Sequence, residues 1–182
     1  MDTTGERKRA GCAMRRQLFV GGLILLVSLT SLARGQAFTE TTGLAGLNHV
    51  QATNNPGNVK SMSGGAAAGD FDNDGHVDLF VTVVDGADIL YRNQGNGQFL
   101  PFNTNVFDAG IPSNGAGFGD VDNDGDLDLY VTAVDHSQHY LYINQGTNQQ
   151  GQSLGFVEDA QARGASLNNG VNNFGFGMAF GD

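Results

Sequence analysis

Two stretches, "GDFDNDGHVDLFVT" (69–82) and "GDVDNDGDLDLYVT" (119–132), carry aspartates in the same register fifty residues apart. Each runs straight into β-branched and aromatic residues. A fold for this chain must use that unit twice, because self-similarity at a period of about 20–50 residues marks stacked supersecondary units. The likeness extends beyond the acidic part. "GGAAAGDFDNDGHVDLFVTVVDGADILYRNQGNGQF" aligns with "NGAGFGDVDNDGDLDLYVTAVDHSQHYLYINQGTNQQGQSLGF".

Each copy reads as four short strands. A Gly/Ala-rich one covers 63–70 or 114–120, and a β-branched one covers 78–84 or 128–134, where Leu79, Val81 and Val83 alternate with Phe80, Thr82 and Val84. "ILYRN" (89–93) or "YLYIN" (140–144) follows, and an outer strand starts near Phe99 or Phe156. The "QGNG" between the third and fourth is a strong hairpin signal. With 28 glycines, 3 prolines and no tryptophan, the chain suits many turns and short strands. Four antiparallel strands per repeat describe one propeller blade. The expected fold is therefore all-β: a partial β-propeller of four-stranded antiparallel blades. The repeats are expected at 63–113 and 114–172, after a leading segment at 36–62. "FGFGMAFGD" (174–182) starts a third copy at 173–182, with Asp182 as the first residue of an incomplete acidic loop, so the chain reads as a fragment of a longer protein. The wider spacing from Asp120 to Asp182 lies mostly in the "QGTNQQGQSLG" hairpin and after Phe156, where a repeat protein tolerates insertion.

The first 35 residues carry a different signal. Arg7, Lys8, Arg9, Arg15 and Arg16 precede the apolar "LFVGGLILLVSLTSL" (18–32), and small residues follow at "ARG" and "GQA". This is the pattern of a secretory signal peptide, and fifteen apolar residues fall short of the roughly twenty a spanning helix needs. The expected location is extracellular or periplasmic, with no membrane insertion of the mature chain. Beyond residue 35 the chain keeps 3 Lys/Arg against 17 Asp/Glu, which argues against nucleic acid or an anionic membrane surface as partner. Cys12, the single cysteine, lies within that leader, so an exported mature chain has no disulfide to stabilise it. Bound divalent cations would serve instead.

Nine of the 17 acids fall in the two loops: Asp70, Asp72, Asp74 and Asp78, then Asp120, Asp122, Asp124, Asp126 and Asp128. Like charges packed into a nine-residue turn repel unless something positive sits among them. Hard oxygens at alternate positions suit calcium, which takes six to eight of them. The expectation is two Ca2+ sites, each built from side-chain oxygens at positions 1, 3, 5 and 9 and from the backbone carbonyl of position 7, His76 or Asp126. Gly75 and Gly125 at position 6 would allow the bend. An EF-hand requires a Glu at position 12 and flanking helices, but Val81 and Val131 stand there within strand patterns. Dockerins fail on the same ground, and thrombospondin-type repeats need cysteines. Solvated Asp/Asn/Gly turns are the bland reading, which two copies in register count against.

These motifs, with the Gly-rich strands before them, resemble the FG-GAP/VCBS repeats of integrin α-like β-propellers. "LYRNQGNGQF", "FTETTGL" (38–44) and "FVEDAQARG" (156–164) look like the secreted acidic cartilage-protein type, whose bacterial relatives often carry an ASPIC/UnbV domain. The resemblance covers about residues 38–182 and implies binding, not catalysis: adhesion to, or recognition of, an extracellular protein or glycan. It implies that the face opposite the calcium loops contacts ligands. That face would include Asp85 to Asp88, Asp135 to His139, and the connections at about 103–113 and 160–172. The alternatives are a non-catalytic propeller portion of a larger extracellular enzyme, or a structural spacer.

No catalytic motif competes with this reading. His136 and His139 form an HxxH without the glutamate or third ligand of a zinc protease, which leaves them as ordinary surface histidines. No P-loop or strand-anchored GxGxxG occurs. Aspartate pairs within a turn suit a cation better than an open glycosidase cleft. Tyr91, Tyr140 and Tyr142 fall in strand patterns and are expected to pack against core or sheet. The chain is expected not to be an enzyme.

Overall fold

A computed structural model describes residues 39–49, 64–84, 86–102, 106–107, 111–167, 170–175 and 177–180. The expected signal peptide, most of the leading segment and Asp182 lie outside them.

Two four-stranded antiparallel sheets follow one another along the chain. The first is built from β1 (Ala66–Gly69), β2 (Asp78–Val81), β3 (Ile89–Asn93) and β4 (Phe99–Phe102), in that spatial order. The second repeats the order with β5 (Ser113–Gly119), β6 (Asp128–His136), β7 (Tyr140–Asn144) and β8 (Phe156–Glu158). A short β9 (Asn173–Phe174) pairs with the far end of β6. Register is equivalent in the two sheets: Gly69 faces Asp78 and Leu79 faces Tyr91, as Gly119 faces Asp128 and Leu129 faces Tyr142. The fold is all-β among the described residues, and the sheets have the strand order of propeller blades.

Third and fourth strands begin where the residue pattern puts them. The second strands differ from expectation, and hydrogen bonding explains why. Strand β2 stops at Val81 instead of continuing to residue 84, because the N–H of Val83 goes to the Asp88 side chain at 2.7 Å. Strand β6 runs to His136 because β9 continues its ladder.

The core lies between the sheets. Ala67, Phe71, Phe80 and Leu90 of the first repeat meet Leu129, Val131, Tyr142 and Phe156 of the second. Phe107, from the connection between sheets, packs its ring 5.1 Å from those of Phe80 and Tyr142. Burial of such rings is the main stabilising term available to a chain of short strands, at about 1.5–3 kcal/mol per large apolar side chain. Tyr91 and Tyr142 are buried as packing residues.

The Gly/Ala-rich inner strands are small because the next repeat presses on them. A Cβ at Gly69 would stand 2.9 Å from the Phe118 ring, and one at Gly119 would stand 2.6 Å from that of Phe180. Asn114, at the irregularity in β5, stitches the inner strands together. Its Oδ1 accepts from the Gly64 N–H, its carbonyl accepts from the Thr82 hydroxyl, and its Nδ2 donates to the Gly175 carbonyl.

Candidate metal centres

Each acidic loop joins the first strand of a sheet to the second, and its own side chains shape it. The position-1 carboxylate caps the turn: Asp70 accepts from the N–H groups of Asp74 (3.1 Å) and Gly75 (2.9 Å), and Asp120 accepts from those of Asp124 (3.1 Å) and Gly125 (3.0 Å). Asp74 accepts from the His76 N–H, as Asp124 does from that of Asp126. The bend requires left-handed backbone, at φ 56° and 60° for Asn73 and Asn123 and 89° and 93° for Gly75 and Gly125. Asparagine and glycine adopt that region at least cost.

The position-9 aspartates do more than sequence reasoning assigned to them. Asp78 Oδ2 accepts from the Phe71 N–H at the loop's start, and its Oδ1 accepts from the Asn93 N–H at the end of β3 (3.1 and 2.7 Å). Asp128 does the same with Val121 and Asn144, at 2.9 Å each. Asn93 and Asn144 complete the clasp by donating to the Val77 and Leu127 carbonyls. Asn144 also donates to the Phe71 carbonyl of the preceding repeat. The aligned "RNQG" and "INQG" carry these asparagines, so the repeat was the signal that could have found them.

Carboxylate oxygens of Asp70, Asp72 and Asp78 come within 4.8 Å of one another in the first loop, and those of Asp120, Asp122 and Asp124 do so in the second. Asp74 lies outside the first trio and faces Arg92, while Asp128 lies outside the second with its oxygens on backbone N–H groups. The side chain of Asp126 turns to Asn73 of the first loop, 2.7 Å away. His76 lays its ring over Gly95.

Four of the loop carboxyls are held above the ordinary aspartate range. Burial pushes Asp78 up to about 6 against the pull of the Asn93 and Phe71 N–H groups, and the charges of Asp72 and Asp74 add to the rise. Asp128 is raised by burial in the same way. Asp72 is raised by burial although Arg92 opposes it, and Asp126 is raised by burial and then by Asp124. Asp72 is 5% exposed, and neither of its oxygens accepts a hydrogen bond. Arg92 Nε approaches one of them at 2.6 Å as a charge contact, not aligned as a hydrogen bond. An all-oxygen set with a buried, under-satisfied carboxylate fits a hard divalent cation.

At the far end of each sheet, Asp88 and His139 hold equivalent places. Asp88 accepts from the Val83 N–H, and His139 Nδ1 accepts from the Ala133 N–H (3.1 Å). Both are buried, at 6% and 5% exposure. His139 is therefore not the surface histidine expected from an HxxH in a loop: the packing of β6 against the following turn turns it inward. Neither of these two side chains is available to a ligand on that face.

Residues 70–131 match the family model of the FG-GAP-like repeat, from the first aspartate of one acidic loop to the strand after the next. That match covers about a third of the chain, and with the two sheets it supports an FG-GAP-like repeat and partial propeller blades. The search of curated proteins returned no match.

Proposed function

We propose that this chain is a calcium-binding β-propeller repeat protein, exported by its N-terminal leader, that acts in extracellular adhesion or recognition of a protein or glycan. The observation carrying the reading is the duplication of an acidic loop whose hydrogen bonds agree residue for residue and whose carboxylates converge in each copy. Asp70, Asp72, Asp74, Asp78 and the His76 carbonyl would hold one ion. Asp120, Asp122, Asp124, Asp128 and the Asp126 carbonyl would hold the other. The cation would supply positive charge among the crowded carboxylates and would lock each loop between its strands. Among the described residues the convergent side chains are carboxylates suited to a cation, and the proposed role is binding. The leader at 1–35 and the acidic balance favour a calcium-rich compartment outside the cytosol.

A ligand that binds only the native state stabilises it by about 2.7 kcal/mol at a hundredfold excess over Kd. Millimolar calcium should therefore raise the melting temperature by several degrees over chelator. Identical melting with and without calcium would refute the metal reading. N-terminal sequencing of the product exported from an expressing cell tests the leader, with cleavage expected near residue 35.

A further inference from the structure

Only two Lys or Arg side chains occur among the described residues, Arg92 and Arg163, and both reach the position-3 aspartate of an acidic loop. They do so differently. Arg92 stands on β3 of the same sheet as the first loop, with Nε 2.6 Å from Asp72 and Nη2 3.2 Å from Asp74. The Asp72 side chain is 1% exposed, so this guanidinium is its counter-charge in place of water. Arg163 comes from the turn after β8, reaches Asp122 through Nη2 alone, and shares its Nε with Asp159 on the surface.

The second repeat carries Ile143 where the first carries Arg92, and Ile143 packs in an apolar cluster with Leu141 and Ala160, bringing no charge to its loop. The convergent carboxylates differ accordingly: Asp124 belongs to the second trio, whereas its equivalent Asp74 stands apart against Arg92.

We propose that Arg92 is a built-in counter-cation of the first loop: it holds Asp72 and Asp74 when no ion is bound and must be displaced when one enters. The first loop then takes metal weakly, while the second, with no guanidinium to displace from within its sheet, takes it tightly. This inference rests on the calcium reading above. A guanidinium on two aspartates opposes a second positive charge at the same oxygens, and its removal relieves that repulsion.

The test is calcium titration by calorimetry of the full chain, in a background where Asp120→Asn and Asp124→Asn silence the second loop. Arg92→Ile, which installs the second repeat's residue, should tighten the remaining site about tenfold or more and lower the melting temperature in chelator. Arg92→Lys, which keeps the charge without the fork, should fall between. Unchanged or weaker calcium binding in Arg92→Ile overturns the inference while leaving the metal reading intact. Absence of calcium binding in the unsubstituted chain, with both loops intact, and in Arg92→Ile alike overturns the metal reading and this inference with it. An Arg92→Ile chain that is unfolded in chelator and folds on adding calcium supports the inference. One that stays unfolded in millimolar calcium overturns it.

Discussion

Asp72 and Asp122 occupy the same step of the same loop, yet the side chain of one is 1% exposed and that of the other 28%. The backbone around them is nearly identical: position-1 and position-5 carboxylates accept the same N–H groups at distances agreeing within 0.1 Å. What differs is the neighbour. Arg92 clamps Asp72 and Asp74 from within the sheet, and Arg163 touches Asp122 from outside. Loop shape is thus set by the loop's own Asp, Asn and Gly, whereas its charge balance is set by residues 18 to 41 positions away. One strand substitution, Arg against Ile, is enough to give two copies of a motif different electrostatics.

The comparison can be strained hardest at its shared part. Removing Asp78 leaves the Phe71 and Asn93 N–H groups without their acceptor, and removing Asp128 does so for Val121 and Asn144. An unsatisfied buried donor costs about 1–3 kcal/mol. Asp78→Ala and Asp128→Ala should each lose about 3–4 kcal/mol in urea denaturation with chelator present, alike within about 1 kcal/mol. Each should also weaken calcium at its own loop and largely spare the other. A loss below about 1 kcal/mol at either position would mean that the clasp is not a common structural device.

A second pair, Asp88 and His139, separates the repeats by pH. Burial pushes Asp88 up to about 6, with the Val83 N–H and the Ser113 hydroxyl opposing the rise. A carboxyl whose folded value lies above its unfolded one contributes stability that is fully present below pH of about 4 and lost as pH rises through about 6. His139 is held below its ordinary value by burial and then by His136, and its Nδ1 must stay unprotonated to accept the Ala133 N–H. Its contribution is present above pH of about 6.5 and lost on acidification. Asp88→Asn keeps an acceptor for Val83 and removes the buried charge, so it should gain about 1–2 kcal/mol at pH 7 with little change at pH 4. His139→Asp should give the second repeat the opposite slope, losing stability as pH rises from about 4 to 6. Thermal melts across that range decide it, and parallel profiles for the parent and Asp88→Asn would refute the assignment.

The parts legible in the residues were those governed by local chemistry. Strands at 89–93 and 140–144 were readable because each runs into the same Asn-Gln-Gly turn, and the acidic loops because Asn73, Gly75 and their copies suit left-handed backbone. The second strands were read too long or too short because their ends depend on partners elsewhere, the Asp88 side chain in one case and β9 in the other. Arg92 against Asp74, Asn144 against Phe71 and Asn114 against Gly64 and Gly175 join residues 18 to 73 apart. No periodicity announces such contacts, since they exist only once sheets stack. His139 shows the same limit: an apparently loop-borne polar residue becomes buried when the β6–β7 connection folds back.

The smallest expected effect tests whether the outer arginine matters to the second loop at all. Arg163 makes two ion pairs, with Asp122 and Asp159, both at 3.0 Å, while remaining 35% exposed. Exposed pairs are worth about 0–1 kcal/mol and fade with salt. Arg163→Ala should therefore lower the melting temperature only slightly at low ionic strength and leave it unchanged at about 1 M salt. Its effect on calcium at the second loop should stay within about threefold, against the tenfold expected for Arg92→Ile at the first. A loss that is large and independent of salt would show that Arg163 is inserted among the aspartates in solution as Arg92 is here. The two loops would then be neutralised alike, by arginines drawn from different parts of the repeat, and the proposed difference in their calcium affinities would disappear.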